Sequence, residues 1–395
     1  MAPDPERGLR VLMVMHMLDS RDLGGARVQL ELADELRAHG CEVRVLAREE
    51  ILGRRRQGRL GVSSAAFAAA AVRRVREIAG DYDVIDAHQG NLPVSKRRIG
   101  FDGLMVTRSV GLAPLYAEFA RTARRRWPAA TRGHALARPL RRWRAWRSLR
   151  QSLATLRLCD LISVANADEK AYLAARLGLG EKTVVLGLGI EERRLGELAC
   201  SPEDRSRARG RVAFIGTWNA RKGAHDWRDI VSRVRRRLPE ASFEFLGTHA
   251  GRAELERTLG LTGGALEVVP SYRSEQLGDL LAGVRVGALP SYIEGFGIGV
   301  LEKMAAGIPS VCYDVPGPRE TMGRVDRRLL VPAGDTEAFA TRLVELLEMD
   351  DATYQQLSAR CRSVAEQFSW RLIAAETLAI YRARLAELRA PVRRR

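Results

Sequence analysis

The sequence predicts two α/β domains, each built on a parallel sheet of the Rossmann-like kind. Three observations point there. Short β-branched runs alternate with amphipathic helical patterns along most of the chain. The alternation stops in the charged stretch Glu191 to Gly210 and then starts again. At 395 residues and 46% hydrophobic content, the chain can fill two cores of ordinary size.

The elements follow in order. Residues 11–15 (VLMVM) read as a buried strand. The apolar run Leu9 to Leu18 could pass for a leader segment, but Asp4 and Glu6 precede it, Asp19 ends it, and no small-residue cleavage site follows. A Gly24-Gly25 loop leads into a helix with Val28, Leu32 and Leu36 at four-residue spacing, stopped at Gly40. Strands are expected at 43–46, 83–87, 103–107, 160–164 and 183–186, with helices between most of them. The second series places strands at 212–215, 242–246, 266–269, 285–289 and 309–313, and residues 336–388 are helical in pattern. The expected boundaries are a first domain over 1–190, a linker over 191–210, a second domain over 211–369, and a last segment over 370–395 with a basic tail. In open parallel sheets ligands bind at the carboxyl ends of the strands, so two such domains facing each other would form a deep cleft.

Composition narrows the function. No apolar run reaches the roughly 18–20 residues of a membrane span. The five cysteines (41, 159, 200, 312, 361) are scattered and odd in number, which argues against a disulfide framework or a zinc site and fits a cytoplasmic location. The six histidines show no metal-ligand spacing, and no metal is expected. A formal net charge of +17 favours anionic partners.

The segment richest in chemistry runs from Ala288 to Glu320. A strand ends at Leu289, Pro290-Ser291 break it, and Glu294-Gly295-Phe296-Gly297-Ile298-Gly299-Val300-Leu301-Glu302 passes from a glycine loop into a helix. Glycines let a ligand approach the backbone, and free amides at a helix start suit a diphosphate. Carboxylates such as Glu294 and Glu302 accept hydrogen bonds from paired hydroxyls, which sugars and riboses present. Glycine spacing alone would favour a plain Gly-rich turn with one exposed and one structural Glu.

The full string is more specific. Two glutamates separated by seven residues, with Gly-Phe-Gly between and Met304-Ala-Ala-Gly-Ile-Pro309 after, resemble retaining GT-B glycosyltransferases of family 4. Other segments resemble that family in order and spacing: Gly24-Gly25 and its helix, Tyr82 to His88, Phe214 to Gly223, and Phe368-Ser-Trp370 with Tyr381. The resemblance covers nearly the whole chain and implies a GT-B fold whose last helix crosses back to the first domain. It implies a nucleoside diphosphate sugar as co-substrate, no cofactor or metal, and a glycan, lipid-linked or small-molecule acceptor. Lys222 and Glu294 would be catalytic. The donor would meet Gly24, Gly25, Gly216, Arg221, Lys222, Glu294, Gly295, Phe296, Gly297, Ile298 and Glu302, with Glu294 at the transferred sugar and Glu302 at the ribose. His88, Asn91 and Arg108 fall on the acceptor side.

Three positions depart from the family pattern. Thr217 stands where an Arg commonly follows the diphosphate-loop glycine, and Arg221 is a candidate to supply that charge. Val110 stands where the family has a His, and Gly187-Leu188-Gly189 replaces the usual Pro-Asn-Gly. The first two keep open the alternative of a non-catalytic sugar-nucleotide-binding or scaffold protein. Asp81-Tyr82-Asp83 matches the Asp-x-Asp of metal-dependent GT-A transferases, but Asp83 begins a predicted strand.

Arg121 to Arg150 holds eleven Arg, no Asp or Glu, and Trp127, Trp143 and Trp146. Such a segment fits an anionic membrane surface or a phosphorylated acceptor. It is equally an Arg-rich helix with its tryptophans packed on the core. Nucleic acid is disfavoured, because no binding-fold signature accompanies the charge. The overall expectation is a cytoplasmic protein, peripheral on the inner face of the membrane.

Overall fold

The structure, a computed structural model, describes residues 8–21, 24–53, 63–127, 138–199 and 210–390. The expected basic tail, Cys200, half of the expected linker and part of the 121–150 segment lie outside them. The chain divides into two units: residues 1–189 with 370–395, and residues 190–369.

The first unit carries a six-stranded parallel sheet: β1 (Arg10–Val14), β2 (Glu42–Leu46), β3 (Val84–His88), β4 (Leu104–Arg108), β5 (Leu161–Val164) and β6 (Thr183–Val185). The order is β2-β1-β3-β4-β5-β6. Its longer helices are α1 (Gly24–Ala38), α2 (Ser64–Ile78), α3 (Ala113–Arg126), α4 (Arg138–Leu158) and α5 (Ala167–Leu177). Strands β3 and β4 are buried along their whole length, as expected of strands covered on both faces. Leu12, Val14, Ile85, Met105 and Ile162 form the core with Phe67 and Val75 of α2.

The second unit repeats the plan with β7 (Arg211–Ile215), β8 (Ser242–Leu246), β9 (Leu266–Val269), β10 (Val286–Leu289), β11 (Ser310–Tyr313) and β12 (Leu330–Val331). All pair in parallel, in the order β12-β11-β10-β7-β8-β9. Its longer helices are α6 (Glu192–Leu198), α7 (Trp227–Arg237), α8 (Arg252–Leu259), α9 (Ile298–Ala305), α10 (Thr336–Glu348) and α11 (Asp351–Glu366). The sequence reading has no counterpart for β12, whose two residues are too short to show a period, nor for α6, inside the expected linker.

The last helix, α12 (Trp370–Arg389), belongs to the first unit. It packs on α1, where the buried Trp370 indole donates to Glu31 Oε2 at 2.6 Å. Further along, Tyr381 OH donates to Asp86 Oδ2 of β3 at 2.6 Å, and Arg389 pairs with Asp83 at 3.3 Å.

In each sheet the chain changes direction once. In the first unit β1 sends the chain to β2 on one side and β3 on the other. In the second, β7 leads to β8 and β9 on one side, while β10 to β12 lie on the other. The carboxyl ends of β1/β3 and of β7/β10 are therefore topological switch points, where loops leave in opposite directions and open a crevice.

Candidate functional site

The switch point of the second unit gathers the predicted donor residues. After β7 the chain passes Gly216 and exposed Thr217 to Asn219, whose Oδ1 accepts from Lys222 N at 3.1 Å and caps a short 3-10 turn over Ala220–Lys222. Gly223 closes the turn at φ +77°; a Cβ there would sit 2.1 Å from Pro290 O, in the loop after β10. Only glycine lets the two loops approach this closely.

From the β10 side, Glu294 meets both cations of the 3-10 turn. Lys222 Nζ donates to Glu294 Oε2, and Arg221 Nη1 lies 3.5 Å from the same oxygen. Burial alone would raise the Glu294 carboxyl; the Lys222 and Arg221 charges outweigh it and hold the group below the usual carboxylate range. Burial lowers the Lys222 ammonium, and Glu294 offsets part of that. One carboxylate thus faces two cations beside a helix start.

That helix is α9. Gly297 at φ +87° turns the chain into it, a backbone state that disfavours L side chains. Gly295 and Ile298 flank this turn. Phe296 differs from the expectation of a donor contact: its ring is buried and packs edge-on against Phe368 at 5.4 Å, so only its backbone remains to line the loop. Gly317 N donates to Glu294 O at 3.2 Å and ties down the loop from the far side. Asp226 Oδ2 accepts from Tyr292 OH and Tyr313 OH, each at 2.6 Å, bracing the base of the same loop.

Glu302 lies one turn further, buried in α9. Its Oε1 accepts from Arg194 Nη2 at 2.7 Å, and Arg194 is held by the side chain of Ser274. Sequence reasoning missed Arg194, which sits in the expected linker. The one local signal was its place in an acidic and basic stretch that the structure forms into α6.

In the first unit, His88 ends β3 at the other switch point. Its ring centroid lies 4.8 Å from that of His16, which follows β1. Burial, then the neighbouring His16, push the His88 pKa down to about 3, so the imidazole is neutral at ordinary pH. Asn91 is buried and donates from Nδ2 to Val14 O at 2.9 Å, which fixes the loop after β3 to β1. Arg108 differs most from its acceptor-side expectation. It is 1% exposed, and its guanidinium donates to Asp86 Oδ2 (2.9 Å), Ser163 Oγ (3.3 Å) and Tyr381 OH (3.0 Å). A group so enclosed and so fully partnered clamps β3, β4, β5 and α12 together. Gly24 and Gly25 open α1 rather than forming the expected loop; a Cβ on Gly24 would meet nothing within 4 Å. Asp83, of the Asp-x-Asp triplet, accepts from Arg10 N at 3.0 Å and pairs with Arg389, a structural use.

Residues 209–349 match the family of glycosyl transferases group 1. That match lies within the second unit and leaves the first outside it. Among curated relatives, the phosphatidyl-myo-inositol mannosyltransferase of Mycobacterium leprae is 24% identical over 378 residues, 89% of this chain and 91% of that protein. The chain spans less than half the length of the first curated relatives it matches. Among solved structures, sucrose-phosphate synthase from Thermosynechococcus elongatus aligns with a TM-score of 0.73 at 19% identity, over 96% of this chain and 100% of that one. Anabaena HepE in complex with UDP-glucose aligns with a TM-score of 0.64 at 18% identity, over 94% of this chain and 100% of that one. The fold of the chain is GT-B.

Proposed function

We propose that the chain transfers a sugar from a nucleoside diphosphate sugar to a hydroxyl acceptor (a glycan, a lipid-linked or a small molecule) with retention at the anomeric carbon. One observation carries the reading: Lys222 and Arg221 converge on a single carboxylate at the switch point of the second sheet, beside the start of α9. A diphosphate would be drawn to two converging cations and the free amides of a helix start. As the bond from sugar to diphosphate breaks, charge grows on the departing oxygen, and preorganised cations lower the barrier there. The two side-chain cations supply this without a metal. Arg221 takes the part of the Arg absent at Thr217. Glu294, released in part from Lys222 by the diphosphate, orients the sugar hydroxyls. Glu302, oriented by Arg194, takes the ribose hydroxyls. UDP-glucose bound to HepE, a protein of the same fold, supports this donor class.

The protein works at the cytoplasmic face of an anionic membrane, held there peripherally by the acid-free basic helix α4. Among the described residues no helix is long and apolar enough to cross a membrane. The outward position of Trp143 and Trp146, 50% and 53% exposed, supports the surface role over packing on the core.

The deciding experiment measures nucleotide release from a panel of UDP-, GDP- and ADP-sugars, with lipid and glycan extracts as acceptors. Turnover with one donor, abolished in Glu294→Ala, is the expected result. Saturable donor binding with no release under any condition would establish the non-catalytic binding reading instead.

A further inference from the structure

On the first unit, α2 and α4 leave an open-sided groove of about 600 Å³, within the about 300–1,000 Å³ range of small-molecule sites. Its floor is apolar and small: Ala65, Ala68, Ala69 and Val72 recur along one face of α2, continued by Pro93 and Val94. Alanine at three of these positions is what makes a trough, since longer side chains would fill the space between the helices. The opposite wall is one face of α4, where Trp143, Trp146, Arg147 and Arg150 fall at three- and four-residue spacing. Arg98 completes the rim.

Among the described residues no acidic side chain pairs with the arginines of this rim. Helix α4 has seven Arg and no Asp or Glu. The guanidinium carbons of Arg147 and Arg150 lie 5.3 and 4.9 Å from the ring centroids of Trp143 and Trp146. Such cation–π contacts orient a guanidinium without consuming its N–H donors. They also cover part of each indole, which disfavours base stacking. Gln151 Nε2 donates to Ser64 O at 3.0 Å and pins the wall to the floor.

We propose that this groove takes the acyl chain of an anionic phospholipid from the bilayer, with Arg98, Arg147 and Arg150 gripping its phosphate. The chain matches an apolar trough that has no polar specificity, and the arginine rim matches the headgroup. Amphipathic indoles at the boundary suit the level where the two meet. The proposal sharpens the membrane reading above from a charged surface to a single-lipid site. It is independent of the donor site, which lies in the other unit.

The test uses full-length protein, vesicles of phosphatidylcholine with and without phosphatidylglycerol, and the variant Ala65→Leu/Ala69→Leu, which fills the trough and keeps every charge. Expected results are an at least tenfold preference for the anionic vesicles and a roughly tenfold weaker partition for the filled variant. Chain-brominated phosphatidylglycerol should quench fluorescence in wild type, and Trp143→Phe/Trp146→Phe should lose most of that quenching. Soluble dihexanoyl phosphatidylglycerol should bind, and glycerol phosphate at least tenfold more weakly. A filled variant that melts normally and partitions like wild type would leave surface adsorption standing and overturn the lipid groove. Equal affinity for glycerol phosphate and the short-chain lipid, or tighter binding of single-stranded DNA than of vesicles, would overturn it too.

Discussion

The two sheets each place a cation against a carboxylate near the carboxyl ends of their strands, and the two pairs do opposite work. In the first unit the Arg108 and Asp86 side chains are 2% and 1% exposed and share Tyr381 as a partner, and Arg108 also donates to Ser163. Charge is balanced one to one, and every direction is closed. In the second unit the Lys222 and Glu294 side chains are 13% and 11% exposed, Arg221 adds a second cation, and Gly223 lets the two loops approach closely. Residue type does not separate a clamp from a site. Stoichiometry of charge and a remaining open direction do.

This contrast can be broken by experiment. The largest effect is expected at the clamp. Asp86→Asn leaves Arg108 buried without its counter-charge and should cost about 3–5 kcal/mol of stability, read by denaturant unfolding, while donor affinity of the folded fraction stays near wild type. An unchanged midpoint would show that the clamp is not closed. Lys222→Ala should do the reverse: near-normal melting, with turnover reduced about 10²–10³-fold, or about 3–4 kcal/mol of transition-state stabilisation.

Arg221→Ala should slow turnover by about tenfold, about 1.4 kcal/mol, and Thr217→Arg added to it should restore part of the rate. No recovery would mean that the charge at 217 and the charge at 221 are not interchangeable. Arg194→Ala should raise the donor KM by severalfold, under about 1.4 kcal/mol, with a smaller change in kcat, since it acts through Glu302. An equal loss in kcat alone would contradict a binding role.

The smallest effect lies in pH dependence. His88 has its pKa pushed down to about 3 in the folded protein, against an ordinary value near 6.5. Above pH 6.5 it is neutral in both states and costs nothing. Between 6.5 and 3 the unfolded chain takes a proton that the folded one refuses. Stability should therefore fall as pH drops, by about 1 kcal/mol at pH 5.5. His88→Asn should flatten this part of the profile; an unaltered slope from pH 7 to 5 would assign it to other groups.

Much of the architecture was legible because parallel strands covered on both faces write themselves as short apolar runs. Strands β1 and β8 stand within one residue of where the pattern puts them. The two-residue β12 left no pattern to read. The candidate site was legible where it is local: Lys222 and Glu294 sit in glycine-marked loops. It was illegible where it depends on distance along the chain. Arg194 meets Glu302 across 108 positions, and Arg108 meets Tyr381 across 273. No periodicity encodes such a meeting, so one was set aside as linker and the other assigned to ligand. Trp143 and Trp146 were ambiguous for a different reason: a helix that is basic all round gives no apolar stripe to orient it.

The return of α12 to the first unit has a consequence for biosynthesis. The Arg108 guanidinium and Asp86 leave the ribosome long before Tyr381. At about 5–20 residues per second, the interval is on the order of tens of seconds. The second unit, contiguous in sequence, can complete its sheet within that wait, whereas the first must remain unsealed, with the surface of α1 that Trp370 will cover still open. Nascent chains of this protein should therefore mature out of order, the later-made half first, and the earlier half is the one that a ribosome-associated chaperone has time to engage.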